Sequence, residues 1–110
     1  MIQGTKWAER GYVMRLEISE TDDGYRLEGE LDMATADALT ELLQSAEGDD
    51  PIVLDFSGVS FMDSSGLRAI IEGAGLPNGG PVVILHPSAQ VRRVLDISLP
   101  DGIPGLEVRS

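Results

Sequence analysis

The sequence predicts an α/β domain, a mixed β-sheet of four to five strands with helices packed on it and a β-hairpin at its N-terminal end. Three observations predict this class. Two partly alternating stretches flank a turn signal early in the chain; two short, continuous apolar runs, IVLDF and PVVIL, come later; and segments of helical period separate and follow them. At 110 residues the chain has room for one hydrophobic core. Residues 1–11 are expected to form a flexible tail and residues 12–110 the domain.

The elements follow in order. YVMRLEI (12–18) and YRLEGEL (25–31) flank TDDG and form the hairpin, with Asp23-Gly24 expected to supply the positive φ of a tight connection. In MATADALTELLQSAE (33–47), Ala36, Leu39, Leu42, Leu43 and Ala46 recur at helical spacing, with Asp32 or Thr35 as the N-cap. GDDP stops that helix. IVLDF (52–56) then reads as a strand covered on both faces, and so as the centre of the sheet. FMDSSGLRAIIEGAG (61–75) places Leu67, Ile70, Ile71 and Ala74 on one helical face, capped by Asp63 or Ser64. The glycines and proline of GAGLPNGG keep this helix short, and PVVIL (81–85) is the next strand. HPSAQVRRVLDIS (86–98) is a last helix capped by Ser88, with Val91, Val94 and Leu95 inward, and GLEVR an edge strand.

Charge narrows the function. Between residues 17 and 50 there are twelve acids against one base, Arg26, which is the whole net charge of −11; the rest of the chain is balanced at seven and seven. A surface of this sign repels phosphate backbones and anionic headgroups, so neither nucleic acid nor membrane is an expected partner, and it would steer a basic protein surface. The same acids also serve as a solvated face that keeps the chain soluble. There is no cysteine, which removes disulfides, thiolate nucleophiles and sulfur-rich zinc sites. No secretory h-region and no apolar run of membrane-spanning length occur, and a cytoplasmic location is expected.

Chemistry concentrates in DFSGVSFMDSSGL (55–67), which sets an aspartate and two serines at a strand-to-helix turn. Unpaired N–H groups at a helix start favour a nearby negative group, a phosphoryl group on serine included. Asp63 and Ser64 serve equally as plain caps, worth about 1 kcal/mol.

GELDMATADAL, VLDFSGVSFMDSSGLRAII and HPSAQVRRVLDIS, in this order, resemble the three landmark segments of the STAS family, and the central one is most similar to the free-standing anti-sigma factor antagonists of bacteria. The resemblance spans about residues 12 to 109. It implies a STAS-type fold and a non-enzymatic binding protein that binds an anti-sigma factor serine kinase when unphosphorylated, frees the sigma factor, and is inactivated by phosphorylation on Ser64. A serine phosphatase would reset it, with no cofactor and no metal. Asp32 matches the acidic residue of the family's GELD loop and Asp63 the one before the phosphoacceptor; with Thr35, Ser64 and Ser65 they form the implied partner surface. The chain departs from the pattern in the short helix leading into GAGLPNGG and in ISLPDGI, which replaces a Gly-Leu pair. A STAS module docking on a transporter ATPase or a stress-signalling assembly is the alternative.

Other chemistries fit poorly. A phosphate-binding loop would need a glycine-rich stretch between strand and helix with a lysine, and the only lysine is Lys6. An aspartate-phosphorylated receiver on Asp55 would lack its late lysine and early acidic pair. A hydrolase pairing Ser64 with His86 has no GxSxG elbow. Asp22, Asp23, Asp49 and Asp50 lie in turns, where such pairs are solvated.

Overall fold

The computed structural model describes residues 16–46, 48–76 and 79–110. In them the chain forms β1 (Leu16–Glu20), β2 (Gly24–Leu31), α1 (Ala36–Ser45), β3 (Ile52–Met62), α2 (Ser64–Ala74), β4 (Val82–Leu85), α3 (Ala89–Ser98) and β5 (Leu106–Arg109). The expected tail, 1–11, and the start of the hairpin, 12–15, lie outside the described residues. The five strands form one sheet in sequential order, with β1 antiparallel to β2 and the remaining neighbours parallel. A hairpin followed by βαβ units is therefore what the sequence builds.

The hairpin closes on Glu20 and Tyr25, and its turn is held by the Thr21 N–H on the Gly24 carbonyl (2.8 Å) and the Gly24 N–H on the Thr21 hydroxyl (3.0 Å). Gly24 is not at positive φ, contrary to expectation. It is needed for close approach, since a Cβ there would run into the Val53 backbone of β3. The core joins Leu27 and Leu31 of β2, Leu39 and Leu43 of α1, Leu54, Phe56, Val59 and Met62 of β3, Ile70 of α2, Val82 and Ile84 of β4, and Val91 and Leu95 of α3. At about 25 cal/mol per Å², burial of this apolar surface supplies most of the driving force for folding.

Of the two N-cap positions expected for the first helix, Asp32 and Thr35, the structure uses Thr35: α1 starts at Ala36, and residues 32–35 are tied into a turn of their own. Asp63, one of the two caps expected for the second helix, precedes α2, and Phe61 and Met62 before it belong to β3. Strand β3 runs well past IVLDF because it stays paired with β2 up to Leu31↔Met62, through two register shifts. Each shift adds a residue on the β3 side, so the inward positions go Phe56, Val59, Met62, three apart instead of two. On α2, Ile70 is buried and Leu67 and Ala74 pack against the core, but Ile71, expected to face inward, is exposed.

Candidate functional site

The last rung of the β2–β3 ladder, Leu31↔Met62, sends two loops out of the same end of the sheet. The Asp63 N–H donates to the Leu31 carbonyl at 3.0 Å and ties them together. On one side is the turn 32–35. The Asp32 carboxylate accepts the Ala34 N–H (2.9 Å), and the Asp32 carbonyl accepts from Thr35 and Ala36 (3.1 and 2.9 Å). Thr35 occupies the N-cap position of α1, yet its hydroxyl makes no cap bond. It reaches back instead, accepting the Asp32 N–H at 3.0 Å and donating to the Glu30 carbonyl at 2.7 Å. Thr35 thus fixes the turn rather than the helix, and holds Asp32 at the rim half-buried.

On the other side is the start of α2. Asp63 is its N-cap: one carboxylate oxygen accepts the N–H of Ser65 at 2.8 Å and of Gly66 at 3.4 Å. Of the two caps the sequence allowed, Asp63 is the one used. Ser64 is the first helical residue and its side chain is exposed, whereas Ser65 is half-buried. Gly66 seats the helix on the sheet end, because a Cβ there would come within 2.8 Å of both the Leu31 Cβ and the Met62 Cγ. The fold thus brings Asp32, Thr35, Asp63, Ser64 and Ser65 to one end of the sheet.

The arrangement sets the electrostatics of Ser64. The amides at a helix start would ordinarily receive an anion. Here the Asp63 carboxylate already takes two of them, so a phosphoryl group on Ser64 Oγ would stand beside a fixed negative charge with part of its natural cradle occupied.

One residue at this end carries no signal in the sequence. Gln90, in the first turn of α3, accepts the Met62 N–H at 2.9 Å and donates to the Met62 carbonyl at 3.0 Å. A glutamine near a helix start is unremarked by spacing or composition; only the fold brings it to β3.

His86, the sole histidine, ends β4 in the left-handed region (φ 55°), and its charge acts on Asp55. Among the described residues no group of three His, Cys, Asp or Glu side chains is placed to hold a metal ion, and no helix is long and apolar enough to cross a membrane.

Known proteins share this framework. A candidate anti-sigma factor antagonist from Thermotoga maritima superposes with a TM-score of 0.62 at 23% identity, over 86% of each chain. An anti-sigma factor antagonist from Mycobacterium paratuberculosis gives 0.62 at 23% identity, over 84% of this chain and 83% of that one. The anti-sigma factor antagonist SpoIIAA in its unphosphorylated form gives 0.56 at 24% identity, over 86% and 88%. At these identities the likeness establishes the fold. The family model of the STAS domain matches residues 15–103, and with the five-stranded mixed sheet and three helices described above, the chain belongs to the STAS domain family.

Proposed function

We propose that the protein is an anti-sigma factor antagonist, a binding protein without a catalytic centre of its own, that docks on an anti-sigma factor serine kinase through the Asp32 and Ser64 loops and is released by phosphorylation of Ser64. The observation that carries this reading is the exposed Ser64 hydroxyl at the first turn of α2, directly after an N-cap carboxylate. The kinase would transfer the γ-phosphoryl group of ATP to Ser64 Oγ, forming the O–P bond as ADP leaves and the hydroxyl proton is lost. The phosphate brings about −1.5 to −2 charge at neutral pH. Beside Asp63, and on the same end of the sheet as Asp32, that charge repels and raises the desolvation cost of an interface. Binding is lost through local electrostatics, with no change of fold. A serine phosphatase would restore the hydroxyl, and the cytoplasm is the compartment in which such a pair would meet.

The acidic stretch 17–50 supports a basic protein partner over nucleic acid or an anionic membrane. The test is direct. Incubated with a candidate anti-sigma kinase and ATP, the protein should gain one phosphate, mapped to Ser64 by mass spectrometry. Ser64→Ala should keep its affinity in titration calorimetry, and Ser64→Asp should weaken it about five-fold or more, that is by over ~1 kcal/mol. Equal affinities of the two variants, or phosphate elsewhere, would overturn the proposal. Binding that ignores residue 64 would point to a STAS module docking on a transporter ATPase or a stress-signalling assembly.

A further inference from the structure

Beyond Asp55 the edge of β3 that faced β4 loses its strand neighbour, because the β3–β4 ladder ends at Asp55↔Leu85 while β3 continues to Met62. At Met62, one residue before Asp63, a side chain takes the place of that neighbour. The Gln90 amide accepts the Met62 N–H and donates to the Met62 carbonyl, at 2.9 and 3.0 Å. A primary amide carries the same donor and acceptor as a peptide unit, so Gln90 satisfies Met62 as an adjacent strand would. The arm that presents it is fixed. Ser88 caps α3 by accepting the Val91 N–H at 3.3 Å, and Val91 and Leu95 are buried in the core.

We infer that Gln90 is a positioning residue for the Ser64 turn: its amide locks the backbone of Met62, and through it the direction in which Asp63 and Ser64 leave the sheet. Met62 is held on one side by the β2 ladder and on the other by Gln90, and the Asp63 N–H bonds to Leu31 immediately after. Removing the amide frees one of these holds while leaving the core side chains in place. The turn then samples other orientations, and a partner that needs one of them binds in proportion to the fraction that remains. The inference rests on the phosphoacceptor reading for its consequence, though not for its geometry.

Gln90→Met keeps the side-chain length and removes both hydrogen-bonding groups; Gln90→Glu, which keeps an acceptor for the Met62 N–H and loses the donor, is the second variant. Amide hydrogen exchange needs no kinase. In Gln90→Met the amides of Met62, Ser65 and Gly66 should exchange about ten-fold faster, with those of Leu54 and Ile84 unchanged. Gln90→Glu should fall between Gln90→Met and the parent protein. With the kinase, KM for Gln90→Met as substrate should rise about five-fold while kcat holds, since at saturating substrate every kinase molecule still binds a competent turn. Unchanged exchange at Met62 overturns the inference, as does acceleration spread equally to Leu54 and Ile84, which marks general destabilisation. Acceleration confined to Met62 with KM unchanged overturns it too. If the parent protein takes no phosphate on Ser64, the functional reading falls, and exchange at Ser65 and Gly66 still decides for or against the clamp.

Discussion

The inner half of β3, residues 52–55, and its outer half, 56–62, share one strand and one neighbour, β2, and differ in what lies along the other edge. The inner half is hydrogen-bonded to β4 throughout and to β2 from Val53 on, with Ile52 and Leu54 buried. The outer half pairs with β2, bulges twice, and is closed at its tip by the Gln90 side chain. A strand in the middle of a sheet has its course dictated by its neighbours. A strand that outruns one neighbour is free to be aimed, and here the aimed end carries the Asp63–Ser64 turn. The core underlies both halves, through Leu54 in one and Phe56, Val59 and Met62 in the other; two strand neighbours fix the course of one end of β3, and individual side chains supply direction at the other.

The largest effect should come from the inner half. Leu54 is fully buried, and Leu54→Ala should cost about 2–5 kcal/mol from lost burial and the cavity left behind, read from urea unfolding. Both halves should melt together, because the domain has one core. If instead Leu54→Ala cost less than the outer-half changes below, the division of labour would be wrong.

Next is Gly66→Ala, which probes how closely the start of α2 is seated on the outer half. The added methyl would meet both Leu31 and Met62, and overpacking of this kind costs about 1–3 kcal/mol. Helix α2 must then lift from the sheet end, so Ser64 phosphorylation should slow as well. Full retention of stability would mean that the helix start tolerates displacement.

These two halves were also unequally legible in the sequence. IVLDF, PVVIL, the Leu39–Leu43 helix and the Ser88 cap were all readable, because uninterrupted apolar runs and helical spacing follow directly from how those elements are covered. The outer half of β3 was not, because each bulge changes the inward period from two to three, and SGVSFM then matches neither template. Only IVLDF of β3 is accordingly readable as strand. The hairpin glycine was placed correctly for the wrong reason: Gly24 is required by the Val53 backbone, a neighbour 29 residues away that no local turn rule contains. In the site, Asp63 and Ser64 were visible through DSSG, whose order is itself a capping sequence. Thr35 could be seen as a cap candidate, while its bond to the Glu30 carbonyl depends on how the turn folds back. Gln90 had no signal, because its partner is a backbone unit 28 residues earlier.

Asp63 separates capping from charge in the outer half. Asp63→Ala should cost about 1 kcal/mol by leaving the Ser65 and Gly66 amides uncapped, while Asp63→Asn should retain most of that stability, since asparagine caps as well. The two variants therefore differ in folding but share the loss of a carboxylate beside Ser64. If repulsion governs release, the affinity gap between Ser64→Ala and Ser64→Asp should narrow in the Asp63→Asn background. A gap of unchanged size would remove Asp63 from the repulsion and leave it to Asp32 and to the desolvation of the added charge.

The smallest effect lies at the junction of the halves. Asp55 is half-buried, which raises its pKa, but the amide and hydroxyl of Ser57 donate to it, and the charges of His86 and Arg26 draw it further down, leaving it below the ordinary carboxylate value. The Ser57 N–H, which follows the point where β3 leaves β4, is bonded to the Asp55 carboxylate at 2.9 Å. A folded pKa below the unfolded one means that the native state binds fewer protons. The stabilisation is therefore complete above the unfolded value of about 3.9 and disappears as pH falls through the folded value. With burial opposing the Ser57 bonds, its size should be small, under about 1 kcal/mol. Urea midpoints measured from pH 6 down to pH 3 should fall slightly less steeply in Asp55→Asn than in the parent protein. Over the same window the Ser57 amide of the parent should lose exchange protection, corrected for intrinsic rate, before Leu54 does. Loss at both together would mean that the carboxylate stabilises the whole sheet and that β3 has no separate junction at Asp55.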